Sequence, residues 1–179
     1  MSLKPWKKLR QQFEIKNPWW TYRKDEVLLP SGKRGEYHFV HVKGSSMVIP
    51  VLDECKLILV NQYRYVANRE SLEFPCGSVK EDSTHDETAR LELAEETGFE
   101  AGELQCVAEF NPYNGVTDEL CKVYIARHLK AVSTKPDDTE EFVQVQLRAE
   151  EFDKRVQSGE IWDGMTLAAW ALVRTQFVK

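Results

Sequence analysis

One helix with both of its ends marked constrains this chain more than any other feature. Thr84 and Glu87 stand in capping-box spacing, and Gly98 sits where a helix needs a left-handed residue just past its end. The spacing predicts a helix over 84–97. β-forming runs surround it, over 36–42, 46–52, 56–65 and 72–74 before it and 104–110, 119–126 and 141–146 after it. Two more helices are predicted late, over 149–157 and 166–177. Many strands with few, late helices exclude strict βαβ alternation and predict a mixed α/β (α+β) domain. A turn-forming stretch, 30–35, separates an aromatic and basic opening (Trp6, Phe13, Trp19, Trp20, Tyr22) from the rest of the chain. The organisation expected is an N-terminal segment, 1–35, and a domain, 36–179.

The length of 179 residues suits a single domain with a real core. A net charge of −5 argues against broad affinity for nucleic acid or anionic membrane, but not against a small anion whose charge a metal ion neutralises. No apolar run approaches the roughly 18 residues of a membrane span, and Met1–Lys8 carries charge with no apolar stretch behind it. Cys55, Cys76, Cys106 and Cys121 form no Cys-x-x-Cys pair. Isolated thiols without a secretory signal lead to the expectation of a reducing, cytoplasmic setting.

On the predicted helix Glu92 and Glu96 are four apart and share a face, with Glu95 beside them. Ala89 and Leu93 lie on the flank next to Glu96, suited to packing on a core. Three carboxylates at this spacing repel one another, and a divalent cation removes that penalty. Their hard oxygens favour Mg²⁺ or Mn²⁺ over softer metals. Taken alone, the cluster reads equally well as a solvated acidic face. Its setting favours the metal. Pro75-Cys76-Gly77 ends a strand just before the helix, glycine lets the backbone approach a ligand closely, and the Cys76 carbonyl is available as a further ligand.

Gly77 through Phe99 resembles the Nudix box: a glycine, five residues, a glutamate, seven residues, then Arg-Glu-apolar-x-Glu-Glu-x-Gly-apolar. The match holds at Gly77, Glu92, Leu93, Glu95, Glu96, Gly98 and Phe99, and fails at Ser83 and Leu91, which replace the first glutamate and the arginine. The resemblance implies a Nudix fold, a mixed sheet sandwiched between helices. It also implies Mg²⁺ (or Mn²⁺) held by Glu92 and Glu96 with Glu95 assisting. The missing arginine normally orients these carboxylates; Arg90 is adjacent but about 100° away around the helix.

Beyond the box, the chain resembles the ADP-ribose pyrophosphatase and nucleoside-diphosphate-sugar branch. The resemblance rests on Gln62-Tyr63-Arg64, on Leu72 to Gly77, on Asn114 to Glu119, and on Asp137-Asp138-Thr139-Glu140-Glu141. Asn114 stands where a proline associated with ADP-ribose preference is expected. The resemblance implies hydrolysis of the pyrophosphate of a nucleoside-diphosphate sugar, with Asp138 as base and Glu140 reaching the metal. It places substrate contacts at Arg64, Glu73, Trp20 and Glu119, Arg64 gripping phosphate in the bidentate manner open to a guanidinium. It also implies a homodimer built through the N-terminal segment, where Trp19, Trp20 and Tyr22 stack on a base or fill an interface. The rival reading is a catalytically weak domain that binds nucleotides as a sensor or partner module, motivated by Ser83 and Leu91. His38 and His41, three apart on a strand, point to opposite faces and do not share a metal. His85 falls in the capping turn and is expected to serve that turn.

Overall fold

The computed structural model describes residues 3–53, 55–133 and 142–178. They divide into two compact units. The first runs up to Lys43 and includes Asn111–Glu119; the second holds Gly44–Phe110 and the residues from Leu120 on.

The first unit is an antiparallel sheet of three strands, β1 (Lys7–Lys16), β2 (Thr21–Leu28) and β3 (Arg34–His41), in that order. Asn17 closes the first turn, its Oδ1 accepting the N–H groups of Trp19 and Trp20, each at 2.9 Å. This is the local side-chain bonding that makes Asn a turn former. Gly32, at φ 82°, makes the second turn. No element was predicted over β1, because its side chains show no clean two-residue alternation. It forms through backbone pairing with β2, interrupted by two register shifts. The unit extends past the expected boundary at residue 35 because β3 pairs with β2 along its whole length. The segment 111–119 returns to this unit. Val40 N–H donates to the Val116 carbonyl at 2.8 Å, and Val40 bridges Thr117 in parallel.

The second unit is built on a seven-stranded mixed sheet. Its strands are β4 (Ser45–Asp53), β5 (Lys56–Arg64), β6 (Arg69–Glu73), β7 (Cys76–Ser78), β8 (Phe99–Phe110), β9 (Cys121–Ala131) and β10 (Val143–Arg148). The main path is β10-β5-β4-β9-β8, with β6 on β5 and β7 on β4. Only β4 and β9 pair in parallel among these contacts. The helices are α1 (His85–Thr97), α2 (Ala149–Gln157) and α3 (Gly164–Val173).

Alternation along β4 explains the layering. Met47, Ile49 and Val51 join Phe74, Phe152 and Trp170 in one core, under α2 and α3. Val48, on the opposite face, packs with Ala89, Leu93, Tyr124 and Ala126 under α1. Both faces of β4 are therefore buried, which is why its sequence reads as an almost continuous apolar run. The sheet lies between helices, as the sequence resemblance implied. The last helix ends at Val173, earlier than predicted, and tightens into a 3₁₀ turn over Arg174–Gln176. Among the described residues, no helix is long and apolar enough to cross a membrane.

Candidate functional site

Helix α1 starts and stops where the sequence says. Thr84 Oγ1 accepts the Glu87 N–H at 3.2 Å, and Glu87 Oε2 accepts the Thr84 N–H at 2.8 Å. Gly98, at φ 70°, ends it and donates its N–H to the Ala94 carbonyl at 2.8 Å. Ala89 and Leu93 are fully buried, so the helix is pinned by the flank beside Glu96. Its N-terminal turn is tied to β4 by His85, whose Nδ1 lies 3.0 Å from the Ser45 carbonyl. Ser46 Oγ donates to the His85 carbonyl at 2.8 Å. His85 thus serves the turn.

The carboxylates of α1 meet the backbone of β7. Cys76 N–H donates to Glu96 Oε2 at 3.3 Å. The side chain of Glu92 lies across Gly77: a Cβ on that residue would fall 1.8 Å from Glu92 Oε1 and 2.1 Å from its Cδ. The space that Gly77 leaves open is therefore taken by a glutamate of the same chain. Glu95 is exposed, while Glu92 and Glu96 are half-buried.

The segment carrying β7 is held on both sides. Phe74 N–H donates to Thr166 Oγ1 at 3.2 Å, and the Pro75 carbonyl accepts the Val48 N–H at 2.8 Å. The Cys76 thiol is pushed well above the ordinary thiol range, by its hydrogen bond to Cys121, by burial, and by the nearby charges of Cys121, Glu96 and Glu92. A hard divalent cation takes oxygen ligands, so the atom Cys76 offers it is the backbone carbonyl oxygen and not the soft sulfur.

The donor chemistry suits a hard divalent cation: two carboxylates four apart on one helix face, Glu92 against Gly77 and Glu96 against the Cys76 amide. No cluster of three His, Cys, Asp or Glu side chains converges for a metal among the described residues. Asp138 and Glu140, the expected base and metal contact, lie outside the described residues. Glu92 and Glu96 therefore suit the cation in donor chemistry without completing a shell.

Arg64 and Glu73 come together at the β5–β6 pair. Arg64 Nε donates to Glu73 Oε1 at 2.8 Å, a second bond joins its terminal nitrogen to Oε2, and Gln62 Nε2 donates at 3.3 Å. Glu73 is 2% exposed in its side chain, Arg64 47%. The pair keeps Arg64 firmly protonated, chiefly through the Glu73 hydrogen bonds. Glu73 therefore spends its oxygens on Arg64 and Gln62, and Arg64 offers its outer edge to solvent.

Leu91 and Ser83, the two departures from the box, line one shallow cleft of about 290 Å³ with Ser78, Lys80, Glu87, Thr88 and Glu92. Arg90 does not substitute for the missing arginine, since its Nε donates to Asp86 at 3.0 Å on the outer face of α1.

Trp20 and Glu119 belong to the first unit. Trp20 is 44% exposed, and Glu119 is half-buried with its N–H donating to Thr117 Oγ1 at 3.1 Å. Sequence reasoning missed the clasp beside Glu119. His41 Nδ1 lies 2.6 Å from Asp118 Oδ2, and Val42 N–H donates to Asp118 Oδ1 at 3.2 Å. His38 instead meets the Tyr22 hydroxyl at 2.6 Å. The two histidines serve different partners. The one available cue was the opposite facing of His38 and His41, which does not reveal partners far along the chain.

The NUDIX domain family model matches residues 42–164. An ADP-ribose pyrophosphatase of Bacillus subtilis (strain 168) is 35% identical over 147 residues, covering 81% of this chain and 80% of that protein. A methanol dehydrogenase activator of Bacillus methanolicus is 30% identical over 154 residues, covering 85% and 83%. The crystal structure of an ADP compounds hydrolase has the same fold, with a TM-score of 0.85 over 98% of this chain and 95% of that one at 21% identity. With a capped acidic helix docked on a glycine-bearing strand inside the matched region, this chain belongs to the NUDIX domain family.

Proposed function

We propose that this chain hydrolyses the pyrophosphate bond of a nucleoside-diphosphate sugar, ADP-ribose or a close analogue, to a nucleoside monophosphate and a sugar phosphate. The observation that carries the reading is the pairing of Glu92 and Glu96 with the Cys76–Gly77 backbone, within a chain 35% identical to an ADP-ribose pyrophosphatase. Glu92 and Glu96, with Glu95 and Glu140, are the residues that would hold Mg²⁺ or Mn²⁺. Such an ion neutralises the diphosphate and acidifies a bound water.

The chain's own groups do the rest. Arg64, kept charged and fixed by Glu73, presents a donor edge to phosphate. Asp138 takes the proton of the attacking water. Trp20 and Glu119 contact the nucleotide. The exposed side chains of Trp6, Leu9, Phe13 and Ile15 in and beside β1 suit a homodimer formed through the first unit. We place the enzyme in the cytoplasm.

The test is incubation with Mg²⁺ or Mn²⁺ and a panel of ADP-ribose, ADP-glucose, GDP-mannose and UDP-sugars. Nucleoside monophosphate should appear with at least one, and absence of release from all of them, with a working control enzyme, would overturn the reading. Light scattering on the intact chain should return twice the monomer mass.

A second reading is favoured by the likeness to a methanol dehydrogenase activator. In it the domain acts on or with a partner protein and turns over free nucleotide sugars slowly. Tight ADP-ribose binding in the presence of Mg²⁺, without turnover, would select it.

A further inference from the structure

Two facts stand in tension in the box of this chain. The arginine that would orient the helix carboxylates is Leu91, 41% exposed, and the neighbouring Arg90 is committed to Asp86. Yet Glu92 and Glu96 are not splayed into solvent. Each is half-buried, and each meets one residue of β7: Glu92 lies against the α-carbon of Gly77, and Glu96 accepts the amide of Cys76.

We propose that the β7 backbone, Gly77 with the Cys76 amide, orients Glu92 and Glu96 in place of the absent arginine, so that Gly77 is a positioning residue of the metal site. The inference deepens the proposed hydrolase function and rests on it, since it takes Glu92 and Glu96 as the metal-holding pair.

The geometry makes Gly77 an informative position. Its φ lies outside the left-handed region, so alanine strains no backbone there. The atoms an alanine Cβ would strike are Oε1, Cδ and Cγ of Glu92, at 1.8, 2.1 and 2.7 Å. These are the far end of a flexible side chain. The protein can relieve the overlap only by moving the carboxylate, which costs little stability and displaces the group that matters. Leu91 and Ser83 lie in one cleft with Glu92, so an apolar side chain and a hydroxyl stand there in place of the two charged residues of the box.

The experiment measures Mn²⁺ binding to the metal-free full chain by electron paramagnetic resonance, with thermal unfolding and turnover followed in parallel. Gly77→Ala should weaken Mn²⁺ binding about tenfold or more, in the range seen when groups supporting a ligand are removed, and leave Tm within about 2 °C of the parent. Glu92→Asp, whose shorter side chain withdraws from the alanine, should weaken binding in the parent and add little on top of Gly77→Ala, a non-additive cycle. Leu91→Arg should change Mn²⁺ affinity less than about threefold, because the carboxylates are already oriented.

Unchanged Mn²⁺ binding in Gly77→Ala, additive effects in the cycle, or a gain of about tenfold in Leu91→Arg would each overturn the proposal. Glu96→Gln separates this from the assignment of the metal site. If that variant binds Mn²⁺ as well as the parent chain does, the metal site itself is misassigned. If it loses binding while Gly77→Ala does not, only the positioning role fails.

Discussion

The larger unit fixes acidic side chains in two contrasting ways. Behind the sheet, Asp153 of α2 is saturated by donors from three residues. Trp170 Nε1 donates at 2.9 Å, Arg174 donates from Nε at 2.5 Å and Nη2 at 2.8 Å, and Gln157 Nε2 donates at 2.6 Å. On α1, Glu92 and Glu96 lean on a strand backbone, and the helix has no basic residue in its last turn. The difference separates a brace from the proposed metal site. A carboxylate whose lone pairs and charge are all met by protein donors ties elements together and has nothing left to offer. Glu92 and Glu96 instead meet a peptide amide and a glycine, beside the exposed Glu95, and three acids gathered on one helix face suit a cation.

The sharpest way to break this comparison is to neutralise one acid of each kind. Glu96→Gln should reduce kcat/KM by on the order of 10³-fold, the several kcal/mol a metal ion supplies at the transition state. Its unfolding temperature should hold or rise slightly, since one repulsive charge leaves α1. Asp153→Asn should do the reverse. Turnover per folded molecule stays within about twofold, while stability falls by about 2 kcal/mol from weakened charge-assisted bonds to Trp170 and Arg174. Thermal melts and initial rates on both variants decide it, and a variant that loses both properties equally would erase the distinction.

Acid titration sharpens the same point. The Arg174 hydrogen bonds hold the Asp153 carboxyl down at about 2, against an ordinary value of 3.8, with Trp170 and Gln157 contributing and burial opposing. The folded value lies below the unfolded one, so the stability Asp153 supplies is fully present above about pH 4 and drains away as pH falls through 2. The gap in unfolding free energy between parent and Asp153→Asn should therefore be constant from pH 7 to pH 4 and narrow below it. A gap that stays constant down to pH 2 would mean the carboxylate charge contributes nothing there.

The two regions were unequally legible in the sequence. Capping box, terminal glycine and the Glu92–Glu96 spacing are local, so α1 and its acidic face could be read within a few residues of each other, and the Ala89–Leu93 flank is buried as predicted. Asp153 gave no such signal. Its partners lie 4, 17 and 21 residues away, and nothing in Glu150–Lys154 marks one acid as the buried one. The β7 contacts fall between these cases. Gly77 was recognisable as a close-approach position, but a bound ligand was expected there. That Glu92 fills the space depends on how α1 docks on β4 and β7, which is a tertiary fact. The His41–Asp118 clasp, 77 residues apart, is hidden from sequence for the same reason.

The smallest expected effect tests the most tempting local reading. Arg90 sits one residue before the box arginine's position, and sequence proximity invites it as a replacement. Helix geometry turns it about 100° away from Leu91, and the structure gives it an i, i+4 partner in Asp86, with both side chains about half exposed. An exposed pair of this kind contributes about 0.3–0.5 kcal/mol. Arg90→Ala should therefore lower Tm by no more than about 2 °C and leave Mn²⁺ affinity and kcat within about twofold, a surface substitution away from the site. A tenfold loss of metal affinity would show that Arg90 reaches the carboxylates after all. The orienting role would then return from the β7 backbone to the helix, and the contrast with the arginine-saturated Asp153 would collapse.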